Sequence, residues 1–342
     1  MKKLLSIIIC ISPWTSLISD NHPKKRLFDR EEIAAKILGR EDRKYGDHSG
    51  NRVLCRFYNQ GSIGDQSSSF SGVYPLGSGH SYIWEFSPVI AASVLDTSGN
   101  RKRIVSDGLR GLVDSSPEGT PWSFEPLAGY ANPNQENLAM SDNSSTWPST
   151  WPNKDEVWDG VWNGQYGKYV RADQESYFVM DDYYNSEYEF WPDQNDVPES
   201  STESPDDHRR GLGINLEVRG YQWNHPPAED IIIVTYWITN IGSSTLDSVV
   251  FGMYGDADVG GPSSFSDDDA WFDTENDMVY QWDHDNWSTS YGGFRPAYFG
   301  WSFLESPGTP HDGIDNDGDG MIDESQFDGI DNDGDWDPER DD

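Results

Sequence analysis

Residues 212–258 read LGINLEVRGYQW, NHPPAED, IIIVTYWITN, IGSST and LDSVVFGMYGDAD in succession. Within DIIIVTYWITN, at 230–240, Ile232, Val234, Tyr236 and Ile238 fall on one face under a period of two residues. β-Branched and aromatic side chains of this kind suit a pleated, half-buried surface. IGSST is polar turn material, and the segment at 246–258 returns as a further strand. Strand, polar turn and strand at this spacing predict antiparallel neighbours in a β-sandwich.

Outward from this block the same pattern recurs. RVLCRFYN at 52–59, SYIWEFSPVIAASVLD at 81–96 and DMVYQWD at 277–283 each read as a strand. A Thr-Ser-Gly-Asn turn joins 81–96 to RKRIVSD at 101–107, which predicts a hairpin. Residues 114–165 are dense in Pro, Gly, Asn and Asp, so long ordered loops packed by their own rings are expected. An acidic, Ser-rich stretch near 194–210 is a candidate break between two sub-domains. Near the N-terminus, DREEIAAKILG reads as one short helix, capped by Asp29 with Glu32 three residues later and ended by Gly39. The expected fold is mainly β: an antiparallel β-sandwich body with long ordered loops, a short N-terminal helix and C-terminal acidic repeats.

Composition supports that class. Apolar residues make up only 35% of the 342, but aromatics reach 13% with 15 Trp, and each ring buries a large area. A net charge of −36 excludes nucleic-acid binding through a basic surface and docking on anionic lipid. It also makes cations natural partners, because clustered carboxylates repel one another until neutralised.

Lys2 and Lys3 precede the apolar run Leu4–Ile11, the order of charges and apolar residues in a secretory signal. The run is too short to span a bilayer. Residues 1–19 are therefore expected to be a leader, 20–48 an arm carrying the short helix, 49–304 the body and 305–342 an acidic repeat region. Loss of the leader removes Cys10 and leaves Cys55 alone, so no intrachain disulfide is expected, and Cys55 reads as a small buried hydrophobe.

The tail carries the strongest chemical signal. DGIDNDGD occurs at 312–319 and again at 328–335. Calcium takes six to eight oxygen ligands, and alternate Asp residues in a tight loop turn their carboxylates toward one point. In the first loop Asp315, Asp317 and Asp319 hold the first, third and fifth places, and Gly320 sits at the sharp turn. Met321 offers a backbone carbonyl, Asp323 lies ninth, and Gln326 stands where an EF-hand has its bidentate Glu. The second loop offers Asp331, Asp333, Asp335 and Asp337, with Trp336 in place of the turn glycine. Asp256 and Asp258 at the end of YGDAD form a candidate further metal site, with Asp267, Asp268, Asp269, Asp273, Asp283 and Asp285 following.

Trp147, Trp151, Trp158 and Trp162 are candidate glycan contacts, since rings can stack on sugars while nearby amides and carboxylates take hydroxyls. A packed loop core explains the same four residues and is the favoured reading. The chain has no GxSxG, HExxH, P-loop or CxxCH signature, and its seven His residues are scattered.

The two acidic loops resemble the thrombospondin type 3 repeats of extracellular proteins. GYQWNHPPAEDIIIVTYWITNIG, VVFGMYGDADVGG and DGIDNDGDGMIDE together resemble segments of large secreted multidomain proteins of marine and Bacteroidetes-like bacteria, the cargo type of type 9 secretion. That resemblance implies location and architecture, and it reads the end at Asp342, inside the second loop, as a piece of a longer protein. The expected function is a secreted or cell-surface calcium-binding structural or adhesion module, partnered by calcium ions and by glycans or other surface proteins. The alternative is a carbohydrate-binding module or carbohydrate-active enzyme.

Overall fold

The computed structural model of the chain describes the backbone of 4–11 and residues 42–65, 70–109, 122–193, 197–198, 208–274 and 276–304. The expected helix at 29–39 and both acidic loops of 312–342 lie outside the described residues. So do all nine residues expected to ligate calcium in the tail.

The protein is mainly β. Its strands are β1 (Leu4–Ile11), β2 (Tyr45–His48), β3 (Cys55–Tyr58), β4 (Ile83–Leu95), β5 (Arg101–Asp107), β6 (Glu125–Pro126) and β7 (Ala139–Met140). They continue with β8 (Gln174–Asp181), β9 (Ile214–Gln222), β10 (Ile231–Asn240), β11 (Asp247–Ala257), β12 (Asp268–Asp273), β13 (Met278–Asp283) and β14 (Tyr298–Phe303). Among the described residues one sheet runs β12-β13-β14-β1-β10-β9-β8-β6, with β7 also on β8. A second runs β11-β4-β5, and β2 pairs with β3. The two ladders of β1 are parallel, and the other ladders are antiparallel.

β10 buries the face its alternation predicts: Ile232, Val234 and Tyr236 are closed to solvent and Ile238 packs against the same cluster. The predicted β4–β5 hairpin forms, with Leu95 opposite Arg101. One expectation fails. β11 does not return beside β10; it pairs with β4 in the three-stranded sheet. The connection after β10 turns away from it: the Ile241 and Gly242 N–H groups donate to the Gly213 carbonyl, and those of Ser243 and Ser244 to the Pro192 carbonyl. β11 crosses over and packs its Phe251 ring on Tyr236, with ring centroids 5.3 Å apart.

The two larger sheets share one buried cluster. Phe86 of β4 meets Phe299 and Trp301 of β14 edge-on, at 5.2 and 4.8 Å between centroids. Cys55 is a free, fully buried thiol in that cluster, and burial pushes its pKa up to about 12. The candidate break near 194–210 joins β8 to β9, which pair over eight positions, so strands on either side of it are neighbours in one sheet.

A polar clasp ties these layers. Fully buried Asp182, just after β8, accepts bonds from Leu212 N–H (2.6 Å), Ile214 N–H (3.0 Å) and the Ser106 hydroxyl of β5 (2.8 Å). Gly211 holds φ +67°, and a Cβ there would lie 2.5 Å from the Asp182 carboxylate. Only glycine lets the chain pass so close in that conformation.

Candidate metal centre

The β12–β13 ladder sets Asp268 directly opposite Asp283. Like charges in register destabilise a strand pair. The residues around them add to the charge. Asp267 precedes β12, and Asp285 follows β13 in the turn 283–287. One carboxylate oxygen from each of Asp267, Asp283 and Asp285 lies within 4.8 Å of the others.

Local structure holds these groups in place. Asp283 is buried and accepts a bond from the Ser264 hydroxyl at 3.1 Å and from Trp287 N–H at 2.7 Å. The same N–H donates to Asp285 at 2.8 Å. His284 donates its backbone N–H to the Asp267 carbonyl at 3.1 Å. Its ring Nδ1 lies 2.7 Å from Asp269, and that contact raises the imidazole pKa. A turn follows β11, closed by Gly261 N–H on the Asp258 carbonyl at 2.9 Å, and within it Val259 N–H reaches Asp268. Gly261 has φ +95°, and a Cβ there would sit 2.5 Å from the Tyr291 ring.

Of the candidate pair, Asp258 lies close enough for its charge to act on Asp268, while Asp256 stands opposite Glu85 in the β11–β4 ladder. Burial raises the Asp256 carboxyl, and the Glu85 charge adds to it. Asp258 is buried, and burial followed by the Asp256 charge pushes it up to about 6. Asp268 is pushed up to about 7, first by burial and then by the charges of Asp283, Asp258 and Asp267; a 2.8 Å bond from Val259 N–H to its Oδ2 opposes the shift. Its Oδ1 is buried with no hydrogen-bond partner. Asp283 is raised as well, chiefly by burial.

Carboxylates raised by burial and by one another are poised to gain from a cation, which removes both costs. The donors are all oxygens, the set that suits a hard divalent ion rather than a soft metal. The sequence places Asp256 and Asp258 at the head of a group that includes Asp267, Asp283 and Asp285, and these last three are the ones whose carboxylate oxygens lie within 4.8 Å of one another. The cue lies in two short strings, SDDD at 266–269 and DHD at 283–285, which only the hairpin register brings together.

The tryptophan group packs as a loop core, the reading favoured over glycan contact. Trp151 and Trp162 are each only 2% exposed and form a second buried cluster with Tyr130, Ala139, Tyr177 and Val179 on the far side of β8. Trp162 donates its indole N–H to Glu175 at 2.6 Å and Trp151 to the Val161 carbonyl at 2.9 Å. Their ring faces meet other rings at 5.6–6.0 Å, so no sugar can stack on them without opening the loop core. Trp147 is half-buried and tied to the Met140 carbonyl at 2.7 Å. Trp158 is half-buried beneath the Lys154 and Lys168 ammonium groups, at 4.7 and 5.2 Å from its ring.

The chain matches no protein-family model, no curated protein and no solved structure. Among the described residues no helix is long and apolar enough to cross a membrane.

Proposed function

We propose that this protein is a calcium-binding structural module of a secreted or cell-surface protein, with an antiparallel β-sandwich body and a role in adhesion or assembly. The observation that carries the reading is the convergence of Asp267, Asp283 and Asp285, with Asp268 opposed to Asp283, in a chain of net charge −36. Three carboxylates, with backbone carbonyls and water completing the shell, make an oxygen set suited to calcium. The repeated DGIDNDGD loops at 312–319 and 328–335 are the second calcium element, with Asp315, Asp317, Asp319, Met321 and Asp323 around one ion and Asp331, Asp333, Asp335 and Asp337 around another. The sandwich reading is supported by the packing of β4 on β14 and of β11 on β10. The export reading is supported by Lys2, Lys3 and the run that follows them.

The test is thermal unfolding in chelator and in millimolar calcium. At an ion concentration ten times the dissociation constant, one site stabilises by about 1.4 kcal/mol, or a few degrees for a body of this size. Asp283→Asn with Asp285→Asn should remove the body's share of that rise. An unchanged calcium response in that double variant would remove the body site from the account.

A second reading, carbohydrate binding, has one observation in its favour. Tyr166 and Tyr169 are more than half exposed on the same loop segment as Trp158, so aromatic surface remains outside the packed tryptophan core. A glycan array with and without calcium separates the readings, and reducing-sugar release separates a binder from an enzyme.

A further inference from the structure

We propose that the processed protein carries a strand-acceptor groove between β10 and β14, filled by an apolar β-strand donated by a different protein. In the structure the groove is filled in cis by β1. Ser6 to Ile11 pair with Ile231 to Tyr236, and Leu4 to Ile9 pair with Tyr298 to Phe303. These are the parallel ladders in an otherwise antiparallel sheet, and they sit in its middle. The same residues are the apolar run of the expected leader, so export would remove the strand that joins the two halves of the sheet.

What export would leave is a slot with two anchored rims. β10 stays held by its eight-position ladder with β9. β14 stays held by β13 and by Phe86, which packs on Phe299 and Trp301. Removing one strand leaves the rims about 10 Å apart, twice the usual strand spacing. Closing that gap would slide β14 one strand-width beneath β4 and break the Phe86 contacts. The exposed rims would present unpaired N–H and C=O groups along Ile231–Tyr236 and Tyr298–Phe303, and such groups demand partners. Ile232, Val234, Tyr236 and Phe299, all fully buried, neighbour the slot.

The filler in cis defines the guest: an uncharged strand of eight residues, LLSIIICI, running parallel to both rims. Residues 20–41 and 305–342 of a second processed copy do not match it. Residues 20–41 hold eleven charged residues in twenty-two, and neither 20–41 nor 305–342 contains eight successive uncharged residues. The remaining strands are committed to their own sheets. The guest that matches this filler is a separate polypeptide with an apolar, β-branched strand, bound by strand addition, in which main-chain bonds give affinity and alternate side chains give specificity.

The proposal rests on removal of residues 1–19, and the experiment judges that step separately. The full chain, carrying a protease site within 20–41, is folded, cut, and offered a labelled peptide of residues 2–12. The labelled peptide is expected to replace the cut strand and to raise the melting temperature of strand-depleted protein. An Ile8→Pro peptide should bind at least about tenfold more weakly, because proline removes a ladder N–H in mid-strand. A Ser6→Cys, Cys10→Ser peptide should form a disulfide with Ile231→Cys protein, as the parallel register requires. No exchange, exchange indifferent to Ile8→Pro, or strand-depleted protein that closes by pairing with its own copies would overturn the groove. An exported protein whose N-terminal mass retains residues 4–11 would instead overturn the processing step, and with it the need for a donor, whatever the peptide does.

Discussion

Asp268 and His48 illustrate how burial acts on single residues with opposite signs. Asp268 faces Asp283 across a ladder, with Asp258 and Asp267 near, and its carboxyl is raised to about 7. A carboxyl whose pKa is higher folded than unfolded binds its proton more tightly in the native state, so its ionisation costs stability above that pKa. Without cations the protein should therefore gain stability from this group as pH falls from about 7 to about 4. Asp268→Asn should raise cation-free stability at neutral pH by roughly 1 kcal/mol, a figure kept small because the residue is partly exposed. The same variant should flatten the pH dependence of melting, while its amide oxygen still accepts the Val259 N–H. His48 works the other way. It is fully buried with Nε2 2.8 Å from the Ser176 hydroxyl, and burial lowers its pKa to about 3. Between pH 6.5 and about 3 the unfolded chain takes a proton that the native imidazole refuses, so stability is lost as pH falls through that window. Native-state NMR should show no titration of the His48 ring between about pH 5 and 8, and a midpoint near 6.5 would contradict its burial.

At the scale of elements, two contacts decide how the sheets meet. Phe86→Ala would empty the space between β4 and β14 and should cost about 3–5 kcal/mol in urea unfolding. Asp182→Ala would leave two buried backbone N–H groups and the Ser106 hydroxyl without their acceptor, and should cost about 2–5 kcal/mol by the same measurement. A loss under 1 kcal/mol in either variant would show that the β4–β14 packing or the clasp at β8 matters less than its geometry implies. The elements also show what a sequence can and cannot declare. β10 and the β4–β5 hairpin were legible because one buried face gives a period of two and a turn marks the return. β8 was not, because all eight of its residues are buried, one face under the main core and the other under the tryptophan loops, so QESYFVMD has no alternation to read. β11 was legible as a strand but not in its partner, since the course of the turn at 241–245 is set by the carbonyls of Gly213 and Pro192, which are distant in sequence. The acidic cluster was half legible: Asp258 and the run at 267–269 stood out, but the meeting of Asp267 with Asp283 and Asp285 is a matter of hairpin register.

For the whole molecule, charge is the governing quantity. A net −36 over 342 residues repels itself, and fourteen of the acidic groups fall between 312 and 342 with only Arg340 to offset them. Calcium is expected to act at two separable places, the tail loops and the body cluster, with affinities of roughly 10⁻⁴ to 10⁻³ M, the range of extracellular modules. The body has its own buried core and should fold without the ion. Calorimetric titration of calcium into the intact chain tests the central claim most directly, with Asp317→Ala plus Asp319→Ala for the tail and Asp283→Asn plus Asp285→Asn for the body. The account predicts binding heat in the wild type, a partial loss in each double variant, loss of both components when the two are combined, and a body that still unfolds cooperatively in chelator. No calcium heat in the wild type at millimolar ion, or a combined variant that binds as well as the wild type, would contradict it.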